Sequence, residues 1–93
     1  MAQLLNDTEI QARARALPTW QVQGQAVEKT FQFKDFVAAI DFVNKLVAPA
    51  EAAGHHPDLT ISYNRVTVSL TSHDAGGLTA ADFDLAATVS QLA

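Results

Sequence analysis

The stretch LTISYNRVTVSL, residues 59–70, alternates apolar and polar side chains on both sides of Asn64-Arg65. Residues two apart share one face of a strand, whereas a helix repeats its face every three or four residues, so this run commits the chain to a β-hairpin. Leu59, Ile61 and Tyr63 lie on one face with Val66, Val68 and Leu70, and Thr60, Ser62, Thr67 and Ser69 on the other. Reading Asn64-Arg65 as the two-residue turn sets Tyr63 opposite Val66, Ile61 opposite Val68 and Leu59 opposite Leu70. Every apolar residue then meets another, and a one-residue slip would set apolar against polar. A sheet with one apolar face needs a layer to cover it.

The rest of the chain supplies that layer. Asn6 can cap a helix over about residues 7 to 16, with Glu9 closing a capping box and Pro18 ending the segment. The run WQVQGQAVEKTFQF alternates around Gly24 and reads as a first hairpin. From Asp35, a suitable cap, Phe36, Ile40, Val43 and Val47 recur at helical spacing. Pro49 is expected to kink or end this second helix, and Gly54 suits the left-handed residue just past a helix end. A third helix follows Gly76-Gly77, capped by Thr79 and Asp82 and carrying Leu85, Val89 and Leu92 along one face. The expected class is α+β: a four-stranded antiparallel sheet with three helices on one face, in the order α-β-β-α-β-β-α. At 93 residues the whole chain, 1–93, is expected to form one domain.

A formal charge of −4 with scattered basic residues offers no grip on a phosphate backbone, so direct nucleic-acid binding is not expected. No run approaches the ~20 apolar residues of a membrane span, and the N-terminus lacks the pattern of a signal peptide. A cytoplasmic protein is expected. The chain has no cysteine, which leaves it without a thiol nucleophile or thiolate ligand.

The chemistry-bearing residues are three histidines. His55 and His56 are adjacent and precede Pro57, and His73 follows the second hairpin. Carrying the register outward pairs His56 with His73 at a cross-strand Cα distance of about 5 Å, on the polar face, with His55 beside them at the helix end. Three imidazoles can also ligate zinc, but cysteine partners are absent and adjacent histidines rarely aim both rings at one ion. Solvated surface histidines are the plain alternative. Glu51 sits at a helix end, Asp58 at a strand start, Asp82 in a capping box, and Trp20 has the bulk of a core residue.

The series Glu51-x-x-x-His55-His56-Pro57, Tyr63, His73 and Asp82 resembles the signature of the pterin-4a-carbinolamine dehydratases. The spacings match that family: five residues between Pro57 and Tyr63, nine between Tyr63 and His73, eight between His73 and Asp82. The N-terminal half agrees more loosely, through a helix ending in LPTW and a following hairpin. The resemblance implies the same α-β-β-α-β-β-α order. It also implies a hydro-lyase that dehydrates 4a-hydroxytetrahydropterin to quinonoid dihydropterin, recycling the cofactor of aromatic amino acid hydroxylases. By position, His55, His56 and His73 would be the catalytic residues, with Glu51, Trp20 and Asp82 supporting or bordering the pocket. Asp58 shares the polar-face parity of His56 and is a candidate to tune it. Some members carry a tryptophan where this chain has Leu59.

Expelling the 4a-hydroxyl requires a proton delivered to the departing oxygen and one removed from N5. Imidazole, with an ordinary pKa of about 6.5, suits both transfers, and no cofactor or metal is expected. The resemblance further implies a homo-oligomer, dimer or tetramer. The alternatives are an interaction module, since animal members also act as dimerisation cofactors of a homeodomain transcription factor, and a small histidine metal-binding protein.

Overall fold

The computed structural model describes residues 3–93. Seven elements follow one another: α1 (Asp7–Arg15), β1 (Gln21–Gln23), β2 (Ala26–Gln32), α2 (Phe36–Ala53), β3 (Asp58–Ser62), β4 (Arg65–Leu70) and α3 (Ala80–Leu92). The strands form one antiparallel sheet in the order β1-β2-β4-β3. The α+β class and element order are those expected.

Period two places the core. In the central strand β4, Val66, Val68 and Leu70 are fully buried, and Val27 and Phe31 of β2 join them beneath the helices. Phe42 of α2 packs on Phe31 and Phe33, with ring centroids 4.8 and 5.0 Å apart. Ala39 and Leu46 of α2 and Phe83, Ala86 and Val89 of α3 complete the cluster. On the opposite face Thr30 and Thr67 meet hydroxyl to hydroxyl at 2.8 Å, the polar cross-strand pair that an uncovered face tolerates.

The helix starts follow from capping chemistry. The Asn6 side chain accepts from the Glu9 amide at 2.9 Å while Glu9 returns the bond to the Asn6 amide at 2.9 Å. Asp35 accepts from the Ala38 amide at 2.8 Å. Each bond satisfies an amide that the first turn leaves without a helical partner.

Two local expectations need correction. Pro49 does not end α2, which continues to Ala53. A proline there withholds one amide bond from the exposed Lys45, whose carbonyl water can serve, and continuing the helix buries Ala50.

The second hairpin is also two residues out of the expected register. Ser62 pairs with Arg65, Ile61 with Val66 and Leu59 with Val68, so the turn residues are Tyr63 and Asn64. Tyr63 adopts the left-handed φ of 50° that the tight turn demands. A shift of two keeps every apolar residue on the apolar face, which is why alternation cannot detect it. Asn64 is held instead by the neighbouring strand. Its carbonyl accepts from the Phe33 amide at 2.8 Å, and its side-chain amide donates to the Phe33 carbonyl at 2.7 Å. These bonds prolong the β2–β4 ladder by one pair beyond Gln32 and Arg65.

Candidate active site

The register decides what the histidines meet. The β3–β4 ladder ends at Asp58 and Ser69, and prolonging it would set Thr71, not His73, opposite His56. The expected cross-strand pair of His56 and His73 is therefore not formed. Each histidine is paired with a carboxylate instead.

His55 and His56 are delivered by the end of α2. Gly54 takes φ 61°, and the His55 amide reaches back to the Ala50 carbonyl at 3.1 Å, closing the helix in the Schellman manner. Glycine adopts this left-handed conformation at no steric cost, and the space beside it is open, so the positive φ alone is the reason for glycine here. His56 Nε2 thereby bonds Glu51 Oε2, between two side chains that are both mostly exposed. Pro57 restricts His56 to extended backbone and leads into β3.

His55 turns inward, and its side chain is only 16 % exposed. Its Nε2 lies 2.5 Å from Asp82 Oδ1. Asp82 occupies the first turn of α3 and is fully buried. Its other oxygen, Oδ2, accepts from the Thr79 amide at 2.8 Å and from the Ser72 hydroxyl at 2.9 Å. Ser72 and Thr79 in turn meet hydroxyl to hydroxyl at 2.9 Å. A buried carboxylate is tolerable only when so satisfied.

His73 stands in the loop between β4 and α3. Ser72 and Gly77 close that loop by exchanging backbone bonds of 3.1 and 3.3 Å, and Gly76 adopts φ 83°. His73 Nε2 is 3.9 Å from Asp58 Oδ2, and both side chains are largely in solvent.

Six of the seven residues singled out from the sequence thus form three imidazole–carboxylate pairs: His55–Asp82, His56–Glu51 and His73–Asp58. Trp20 does not pair with them. It is a core residue whose ring meets Phe31 edge-on at 6.0 Å and whose Nε1 donates to Ser90 Oγ at 2.7 Å. Ser72 has no signal in the sequence, because a serine in a loop belongs to no periodic pattern. Its proximity to the capping aspartate is created by the loop.

Beside His56 an open groove of about 210 Å³ runs between α2 and β3, with Glu51 and His56 at its rim and Val43, Leu46, Pro57 and Leu59 on its walls. Among the described residues no group of three histidine or acidic side chains is arranged to hold a metal ion, and no helix is long and apolar enough to cross a membrane.

The α-β-β-α-β-β-α order over one four-stranded antiparallel sheet is a fold known from other proteins. Residues 3–92 match the family described as pterin 4 alpha carbinolamine dehydratase, and the chain belongs to that family. A protein of Cyanothece sp., provisionally named a pterin-4-alpha-carbinolamine dehydratase, is 66 % identical over 99 % of this chain and 95 % of its own length. A Nostoc sp. protein with the same provisional name is 63 % identical, covering 99 % of each chain. The crystal structure of a transcriptional coactivator/pterin dehydratase from Brucella melitensis superposes with a TM-score of 0.90 at 37 % identity, covering 96 % of this chain and 97 % of that one. A pterin dehydratase-like protein identified as a RuBisCO assembly factor in the alpha-carboxysome is similar with a TM-score of 0.67 at 27 % identity, over 80 % of this chain and 88 % of that one.

Proposed function

We propose that the protein dehydrates 4a-hydroxytetrahydropterin in the cytoplasm, with His55, His56 and His73 as the groups that handle substrate and protons. The observation that carries this reading is that each of the three imidazoles faces its own carboxylate, at the end of α2 and in the loop between β4 and α3.

The reaction breaks the C4a–O bond as the N5 lone pair forms the C4a=N5 double bond, and the N5–H bonding pair becomes the new lone pair on N5. One proton joins the departing hydroxyl to make water and one leaves N5, so the enzyme ends with the protons it began with. His56 and His73, exposed and carboxylate-linked, serve as the exchanging acid and base. His55, held by Asp82, orients the hydroxylated carbon. Leu59 contributes an aliphatic wall beside His56, where some members have an aromatic one. The product is quinonoid dihydropterin, the form that a reductase must return to the tetrahydro state to complete recycling after aromatic hydroxylation.

The direct test generates the 4a-hydroxypterin with a hydroxylase and follows its decay spectroscopically. Acceleration over the spontaneous reaction supports the reading, and none overturns it.

A homo-oligomer belongs to the same proposal. β3 is an edge strand exposed along its whole length, with Leu59 and Ile61 unburied on the helix side and Val47 of α2 exposed nearby. A second copy can continue the sheet and cover these side chains. Light scattering on the purified protein reads the assembly, and a monomer at micromolar concentration would refute it. The same edge favours an interaction role as the second reading, in line with the coactivator and assembly-factor names of the solved relatives. A stoichiometric partner recovered with protein that lacks dehydratase activity would favour that role.

A further inference from the structure

The buried chain Thr79–Ser72–Asp82–His55 runs in one direction, and the direction sets the protonation of an active-site ring. The Thr79 amide can only donate to Asp82 Oδ2. The Ser72 hydroxyl has one proton, which it gives to the same oxygen at 2.9 Å. The 2.9 Å contact between Ser72 and Thr79 must then be donated by Thr79. With two donors already on Oδ2, the Asp82 carboxylate has Oδ1 left to accept a hydrogen bond, and the partner 2.5 Å away, His55 Nε2, then carries the donated hydrogen. Asp82, Ser72 and Thr79 are all buried, so water does not compete for these bonds.

From this we infer that Ser72 is a positioning residue: through Asp82 it holds His55 as the Nε2–H tautomer and leaves Nδ1 as the one ring nitrogen free to accept a hydrogen bond from the substrate it orients. Nδ1 has no hydrogen-bond partner among the described residues, and the ring keeps an edge in solvent. A carboxylate behind an imidazole fixes which nitrogen faces the chemistry, and the choice is lost when the carboxylate is free to turn. Ser72 is well placed for this control. The loop bonds that anchor its backbone also carry His73, so one residue ties the buried pair to the exposed histidine.

The consequence for turnover rests on the dehydratase reading, while the tautomer does not. Nitrogen-15 spectra of the histidine rings, recorded through a pH titration without substrate and assigned with His55→Gln, read the tautomer directly. In the wild-type protein the neutral His55 ring is expected to show Nε2 at the protonated position and Nδ1 at the lone-pair position. In Ser72→Ala the two resonances are expected to move toward each other as the tautomers mix, and kcat to fall roughly tenfold with KM little changed. Thr79→Val is the second variant, expected to move them the same way by less. A wild-type ring protonated at Nδ1 overturns the inference, as does an unchanged tautomer in both variants. Inactivity toward the 4a-hydroxypterin with the expected tautomer would overturn only the proposed reaction.

Discussion

His55 Nε2 and Asp82 Oδ1 lie 2.5 Å apart across the junction of α2 and α3, joining a mostly buried ring to a fully buried carboxylate. Asp82 serves two ends at once, since the oxygen that does not meet His55 caps α3 through the Thr79 amide. Replacing it by alanine removes the cap and strands the Ser72 hydroxyl and the His55 ring. Asp82→Ala is expected to lose about 2–4 kcal/mol of stability in urea unfolding. A loss under half a kcal/mol would show that the network is not intact in solution.

The pair of His56 and Glu51 is the opposite case. Both side chains are mostly in solvent, where an ion pair contributes about 0–1 kcal/mol. His56→Ala is expected to leave the unfolding midpoint nearly unchanged and to lower kcat by about 10²- to 10⁴-fold. His73→Ala, at a ring still more exposed beside Asp58, should behave the same way. Wild-type turnover in both variants would remove them from the chemistry.

Pro49 lies inside α2 and supplies no amide for the carbonyl one turn earlier. Alanine at this position restores that bond. Pro49→Ala is expected to stabilise the fold by roughly 1–3 kcal/mol, measured as a rise in thermal midpoint. A fall would mean that the proline is stabilising in its own packing.

Asn64 makes two bonds to Phe33, one through the backbone and one through its side chain. Asn64→Ala keeps the first and removes the second, at a cost of about 1 kcal/mol. The amide exchange of Phe33 is expected to speed up locally, because the end of the β2–β4 ladder then frays more readily. Unaltered protection at Phe33 would show that the side-chain bond does not pin the turn.

Much of the site was legible because it is built from residues with local reasons to be where they are. Gly54 ends a helix, Pro57 starts a strand, and Asp82 caps the next helix, so the histidines and acids could be placed near the junctions of elements. Their partners could not. His55 and Asp82 are 27 residues apart, and their contact needs α2 and α3 packed side by side on the sheet. Alternation alone pairs His56 with His73, because a hairpin considered by itself offers no choice between registers that differ by two.

The amino-acid sequence by itself determined the element order, the helix caps and the face each strand residue presents. Those properties depend on periodicity and on side-chain bonds to amides three residues away. The tertiary structure decided the hairpin register and the pairing of each imidazole. The reason is physical: a two-residue shift leaves hydrophobic burial unchanged, so the choice falls to hydrogen bonds from outside the hairpin. Asn64 makes them to Phe33, and the turn at Tyr63-Asn64 follows.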